Sequence, residues 1–198
     1  GMAPVFGTQA GLSLSEISTF VAAFYIGAMV FQFPIGWLSD RMDRRILIVV
    51  TSAIGFIAAL FAVVVADIFL IIVASAFLIG GMSNPLYSLL IAYTNDFLEI
   101  DDMASASGGL LFLNGLGAIS GPLFTGYLMT KMGPEGFFII LATLLGFLTV
   151  YGFYRMTQRG ISDVDTSSYA TVLPTASVVA VEIAQELAIE AAEEMDES

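Results

Sequence analysis

The chain has no cysteine and no histidine. The first absence removes disulfides, thiolate chemistry and most zinc-site designs, and the second removes imidazole proton relays. Positive charge is nearly as scarce. Six lysines and arginines in 198 residues cannot build the basic surface that a nucleic-acid partner requires. Charged residues of both signs make up 12% of the chain, against about 25% in an ordinary soluble domain. No Asp, Glu, Lys or Arg lies in the middle of an apolar run, so these runs supply no mid-membrane carboxylate for proton coupling. No nucleophile–base pair, carboxylate dyad or metal-ligand cluster is evident. The sequence therefore does not read as an enzyme, and it calls for no metal or cofactor.

What is present is apolar. Hydrophobic residues make up 58% of the chain, and its mean hydropathy is +0.90. The apolar residues fall into five runs, about Glu16–Leu38, Ile46–Ala66, Ile68–Tyr93, Met103–Thr130 and Gly136–Tyr154. Each is long enough to cross a hydrocarbon core, which needs roughly 20 helical residues. Each must be helical, because lipid offers no partner to an exposed backbone amide. The expectation is an all-α polytopic membrane protein with five transmembrane helices. Ser13 or Ser15 is placed to cap the first helix, with Glu16 in its first turn. No segment has the basic start and cleavage pattern of a signal peptide.

The few cations set an orientation. Arg41, Arg44 and Arg45 follow the first run, and Arg155 and Arg159 follow the fifth. With five crossings these two regions share a side, and Lys131 alone lies opposite. The positive-inside rule puts the arginine side in the cytoplasm. The loop from Asn95 to Asp102 falls on the same side but is acidic, and acids weigh little in that rule.

The organisation expected is threefold: residues 1–15 as the end of a preceding helix and an extracytoplasmic turn, 16–157 as the membrane domain, and 158–198 as an acidic cytoplasmic tail. Nine of the 18 acids lie between Asp163 and Ser198, so the net charge of −12 falls to −3 once those nine negative charges are set aside. Ile161–Pro174 has linker composition. In Ala176–Met195, Glu182, Glu186, Glu190 and Glu194 form a ladder of like charges that weakens an isolated helix. The tail is consistent with disorder or with folding on a partner.

Three motifs stand out. The first is Gly36-Trp37-Leu38-Ser39-Asp40-Arg41-Met42-Asp43-Arg44-Arg45, a charge-dense loop between two apolar runs. The second lies in the fourth run: Gly108, then eight residues, Gly117, three residues, Gly121-Pro122, and Gly126 after Thr125. Gly117, Gly121 and Thr125 are small residues at four-residue spacing, which makes a groove for close helix packing. Pro122 removes a backbone hydrogen bond and invites a kink. The third is Gly80-Gly81-Met82-Ser83-Asn84-Pro85 in the third run, where two glycines and a proline predict a kink or local unwinding. Broken helices often mark a transporter's binding site. Asn84, Tyr87 and Ser88 share a face there, and with Tyr25, Gln32 and Asn114 they are the candidates for lining a solute cavity. Hydrogen bonding between helices would serve the same residues equally well.

The first motif resembles the G-x-L-a-D-R-x-G-R-R loop of the major facilitator superfamily, with Asp43 where that pattern has glycine. The second resembles the superfamily's antiporter signature, with Thr125 in place of one glycine. The stretches Pro85–Glu99 and Ala104–Gly109 are similar to the C-terminal half of bacterial YcaD-like facilitators. The resemblance covers about residues 3–157 and implies helices eight to twelve of a twelve-helix transporter in two similar halves. It implies a secondary transporter of a small organic solute, working by alternating access in a bacterial inner membrane. Its partners would be the bilayer, the solute and the N-terminal half. It also implies a gating role for Gly36, Asp40, Arg41, Arg44 and Arg45, whose charges would hold the cytoplasmic side closed. A different class stays open beside it, a short non-transporting membrane protein whose acidic tail recruits a cytosolic partner.

Overall fold

The computed structural model describes residues 2–65, 68–98 and 100–158. Asp67, Glu99 and everything from Arg159 onward, the acidic tail included, lie outside the described residues. Within them the chain forms six helices and no strand: α1 (Ala3–Gln9), α2 (Leu14–Ser39), α3 (Arg44–Val64), α4 (Phe69–Asn95), α5 (Ile100–Met132) and α6 (Gly136–Gln158). All but α1 are long and apolar enough to cross a membrane. They coincide with the five expected runs to within a few residues at each end.

Local chemistry sets the breaks. α1 stops before Gly11, whose φ of 74° belongs to the left-handed region that suits glycine. The chain then re-enters a helix at Ser13. Its hydroxyl accepts from the Glu16 amide, and the Glu16 carboxylate accepts from the Ser13 amide at 2.8 Å, a complete capping box. At the other end of α2, a short turn leads to Asp43, which caps α3 by accepting from the Arg45 amide at 2.9 Å. Gly133, with φ of 86°, turns the chain between α5 and α6.

The helices pack in a definite order. α2 lies against α4, α3 lies between α4 and α6, and α5 touches α6 and, more lightly, α4. The closest approach is between α2 and α4. A Cβ on Gly27 would overlap the Phe77 carbonyl oxygen, and one on Gly80 would overlap the Phe24 carbonyl oxygen. The two backbones therefore touch, as small residues allow in membrane helices. Of the kink or local unwinding expected in the third run, the unwinding does not occur: α4 is helical without interruption from Phe69 to Asn95, through both glycines and Pro85. Gly80 and Gly81 serve packing there, with Gly81 lying under the Phe31 ring. α5 likewise stays helical through Pro122.

Two ends result. At one, Phe6 of α1 sits among Phe20, Phe137 and Phe138, with ring centroids 4.9 to 5.4 Å from it. Gln9 ties this end to α5 by donating to the Met129 carbonyl at 3.0 Å. The other end carries the α2–α3 turn and the C-termini of α4 and α6. Inside the spans, hydroxyls such as Thr51, Ser52, Thr94 and Thr125 donate to carbonyls one turn back. That satisfies them without water.

Candidate functional site

The charged loop is built around one buried cation. Arg44 opens α3, and only 1% of its side chain is exposed. Its Nε donates to the Ser39 hydroxyl at 3.1 Å, and its Nη1 donates to the Ala92 carbonyl at 3.2 Å and to Asp96 Oδ1 at 2.5 Å. Asp96 is itself buried, with 6% of its side chain exposed. The guanidinium thus joins the end of α2, the start of α3 and the C-terminus of α4, where the helix dipole also favours a cation. A buried arginine needs such a set, because an unpaired charge in this setting is far more costly than a paired one.

The rest of the motif surrounds this centre unevenly. Asp40, the C-cap of α2, lies 3.8 Å from Arg44 Nη2 and is 44% exposed. Gly36 is buried one turn earlier, and its carbonyl accepts from the Asp40 amide at 3.3 Å. Arg45 lies 3.9 Å from Asp43 and 5.9 Å from the ring centroids of both Tyr93 and Phe97. Arg41 turns the other way: it stacks on the Trp37 ring at 4.1 Å and donates to the Trp37 carbonyl. Sequence reasoning named Asp40 as the acid of this network and did not name Asp96 or Ser39 as partners. The available signal is topological: counting crossings puts the Asn95–Asp102 loop on the arginine side.

The glycine stripe of α5 has a different setting. A Cβ added to Gly108, Gly117 or Gly121 would meet nothing within 4 Å, and at Gly126 it would meet only the Met2 terminal methyl at 3.6 Å. Thr125 is buried and donates to the Gly121 carbonyl, while Pro122 is exposed. Large apolar side chains of α5 flank the stripe in the open, among them Phe112, Leu116, Ile119 and Leu123. Among the described residues the glycines of the stripe are therefore uncovered, while Thr125, the third small residue of the spacing, is buried.

The cavity candidates do not all meet. Tyr25 is 68% exposed on a face of α2 shared with Met29 and Phe33, and Gln32 is partly exposed. Asn84 donates to the Gly80 carbonyl of its own helix at 3.2 Å, and Ser88 is buried in the bundle. Tyr87 packs against Ile91, as do Leu110 and Leu111 of α5, and Asn114 lies one turn further along α5, half-buried. The Tyr87 hydroxyl and the Ser83 hydroxyl one turn before it are both buried without a hydrogen-bond partner. Ser83 belongs to the third motif but is not among the cavity candidates read from sequence, although it sits four residues from Tyr87.

The architecture is that of a polytopic α-helical membrane protein with a charged hairpin at one end. The chain belongs to the Major Facilitator Superfamily, whose family model matches residues 1–180. That match runs past residue 157, where the motif resemblance ends. The chain is 32% identical over 152 residues to the uncharacterised MFS-type transporter YfkF of Bacillus subtilis, covering 73% of this chain and 37% of that protein. It is 25% identical to the uncharacterised MFS-type transporter YcaD of Escherichia fergusonii and 27% identical to an Enterobacter MFS-type transporter, with the same coverage in each case. It therefore spans a little over a third of the length of the curated relatives it matches.

Proposed function

We propose that the chain is the C-terminal portion of a secondary transporter that moves a small organic solute across a bacterial inner membrane by alternating access. The arginine end and the 158–198 tail are then cytoplasmic. The observation that carries the reading is the Arg44 cluster. It ties α2, α3 and α4 together at the charged end through bonds to Ser39, Ala92 and Asp96. Any movement of α4 against the α2–α3 hairpin has to break or re-form those bonds. The cluster is then a latch that helps to close the cytoplasmic side, with Asp40 as the exposed member able to exchange partners.

The open faces support the same reading. Exposed glycines with no neighbour, beside exposed aromatic and aliphatic side chains, make a surface suited to another helix. In this proposal the N-terminal half of the transporter covers α2 and α5 and completes the cavity. The Ser83 and Tyr87 hydroxyls then supply hydrogen bonds to the solute from α4.

The test is Asp40→Asn in the intact protein, with insertion followed by immunoblot and transport by accumulation of a panel of small organic solutes. Transport should fall while insertion is unchanged. Full transport in that variant would remove the gating role.

A further inference from the structure

The charged end holds a second feature that the latch does not use. A half-open groove of about 180 Å³ lies between α3, α4 and α6. Arg45 and Arg155 stand in its wall beside Tyr93 and Tyr151, and Leu90 and Leu148 are among the apolar residues lining it. Arg155 forms no ion pair among the described residues. We infer that this groove binds the headgroup of an anionic phospholipid, with one acyl chain running down α6. The inference requires only that the helices cross a bilayer.

Depth argues for a lipid. Arg45 lies in the first turn of α3, Tyr93 in the last turn of α4 and Arg155 in the last turn of α6. The two cations and the two tyrosines thus gather at the level of the membrane interface, where such side chains meet headgroups. Leu148 is seven residues before Arg155, which at 1.5 Å per residue is roughly 10 Å deeper. Leu148, Tyr151, Gly152 and Arg155 share one face of α6 at helical spacing. Beside it, Phe147 stacks on Tyr151 with centroids 6.3 Å apart and planes 9° from parallel. Phe147 and Leu144 are exposed and continue the apolar strip toward the bilayer centre. A soluble anion would use the arginines alone. A phospholipid also covers the strip below them.

The experiment is native mass spectrometry of the full-length protein in detergent, titrated with phosphatidylglycerol or with phosphatidylcholine of the same chains. The wild type should retain phosphatidylglycerol in clear preference. Arg155→Gln should weaken that binding about fivefold, the weight of one arginine at an anionic surface. Arg41→Gln removes the same charge outside the groove and should leave the binding unchanged. Equal retention of the two lipids, or equal loss in the two variants, overturns the proposal. So does full displacement of the lipid by millimolar glycerol phosphate, since the site would then belong to a soluble anion.

Discussion

Asp96→Asn tests which acid holds Arg44. In the wild type the guanidinium has a carboxylate oxygen at 2.5 Å from Asp96, a hydroxyl at 3.1 Å from Ser39 and a carbonyl at 3.2 Å from Ala92. Asp40 stands off at 3.8 Å. Removing one member of a buried ion pair costs about 3–5 kcal/mol, because the other charge stays buried. Two neutral acceptors remain around Arg44, and Asp40 can close in, so the lower end of that range applies, about 3 kcal/mol. Asp40→Asn removes a longer contact to a carboxylate that is 44% exposed, for which a smaller loss, about 1 kcal/mol, is expected. The assay is a denaturant titration of the two purified variants in mixed micelles, read as unfolding free energy against the wild type. A double-mutant cycle with Arg44→Leu isolates the coupling, which should be several-fold larger for Asp96 than for Asp40. If Asp40→Asn proves as destabilising as Asp96→Asn, the buried pair is not what secures Arg44, and the latch built on it is wrong.

Further expectations follow from the packing. Gly27→Ala or Gly80→Ala puts a methyl onto an opposing backbone carbonyl, so either should cost at least about 1–3 kcal/mol as overpacking, seen as lost yield of folded protein. Gly117→Ala meets nothing within 4 Å. It should leave folding of this bundle intact, while any loss of transport would report another helix seated on the stripe. Tyr87→Phe removes a buried hydroxyl without a partner, so stability should hold or rise by about 1 kcal/mol. Solute affinity should fall at the same time, and a clear loss of stability instead would count against the cavity role. Ser13→Ala breaks the capping box and should cost about 1 kcal/mol in the same micelle titration.

Much of this molecule is written in one dimension. The five spans follow from the length and charge-poverty of the apolar runs, and the shared side of the arginine loop and the α6 terminus follows from counting crossings. A serine cap at Ser13 or Ser15 was legible because capping involves only residues a few positions apart, and the structure selects Ser13. These features depend on the nearby chain and on the solvent it must satisfy. The tertiary structure decided the rest. Asp96 meets Arg44 across 52 positions, because the crossing of α2 with α4 and the register of α3 bring the α4 terminus to that depth. No local pattern distinguishes it from Asp40, which lies nearer in sequence and farther in space. Gly80 reads from sequence as part of a kinked or unwound segment and proves to be a place where α4 touches α2. A glycine's role depends on what lies opposite its missing Cβ, and that is fixed only when the helices have packed.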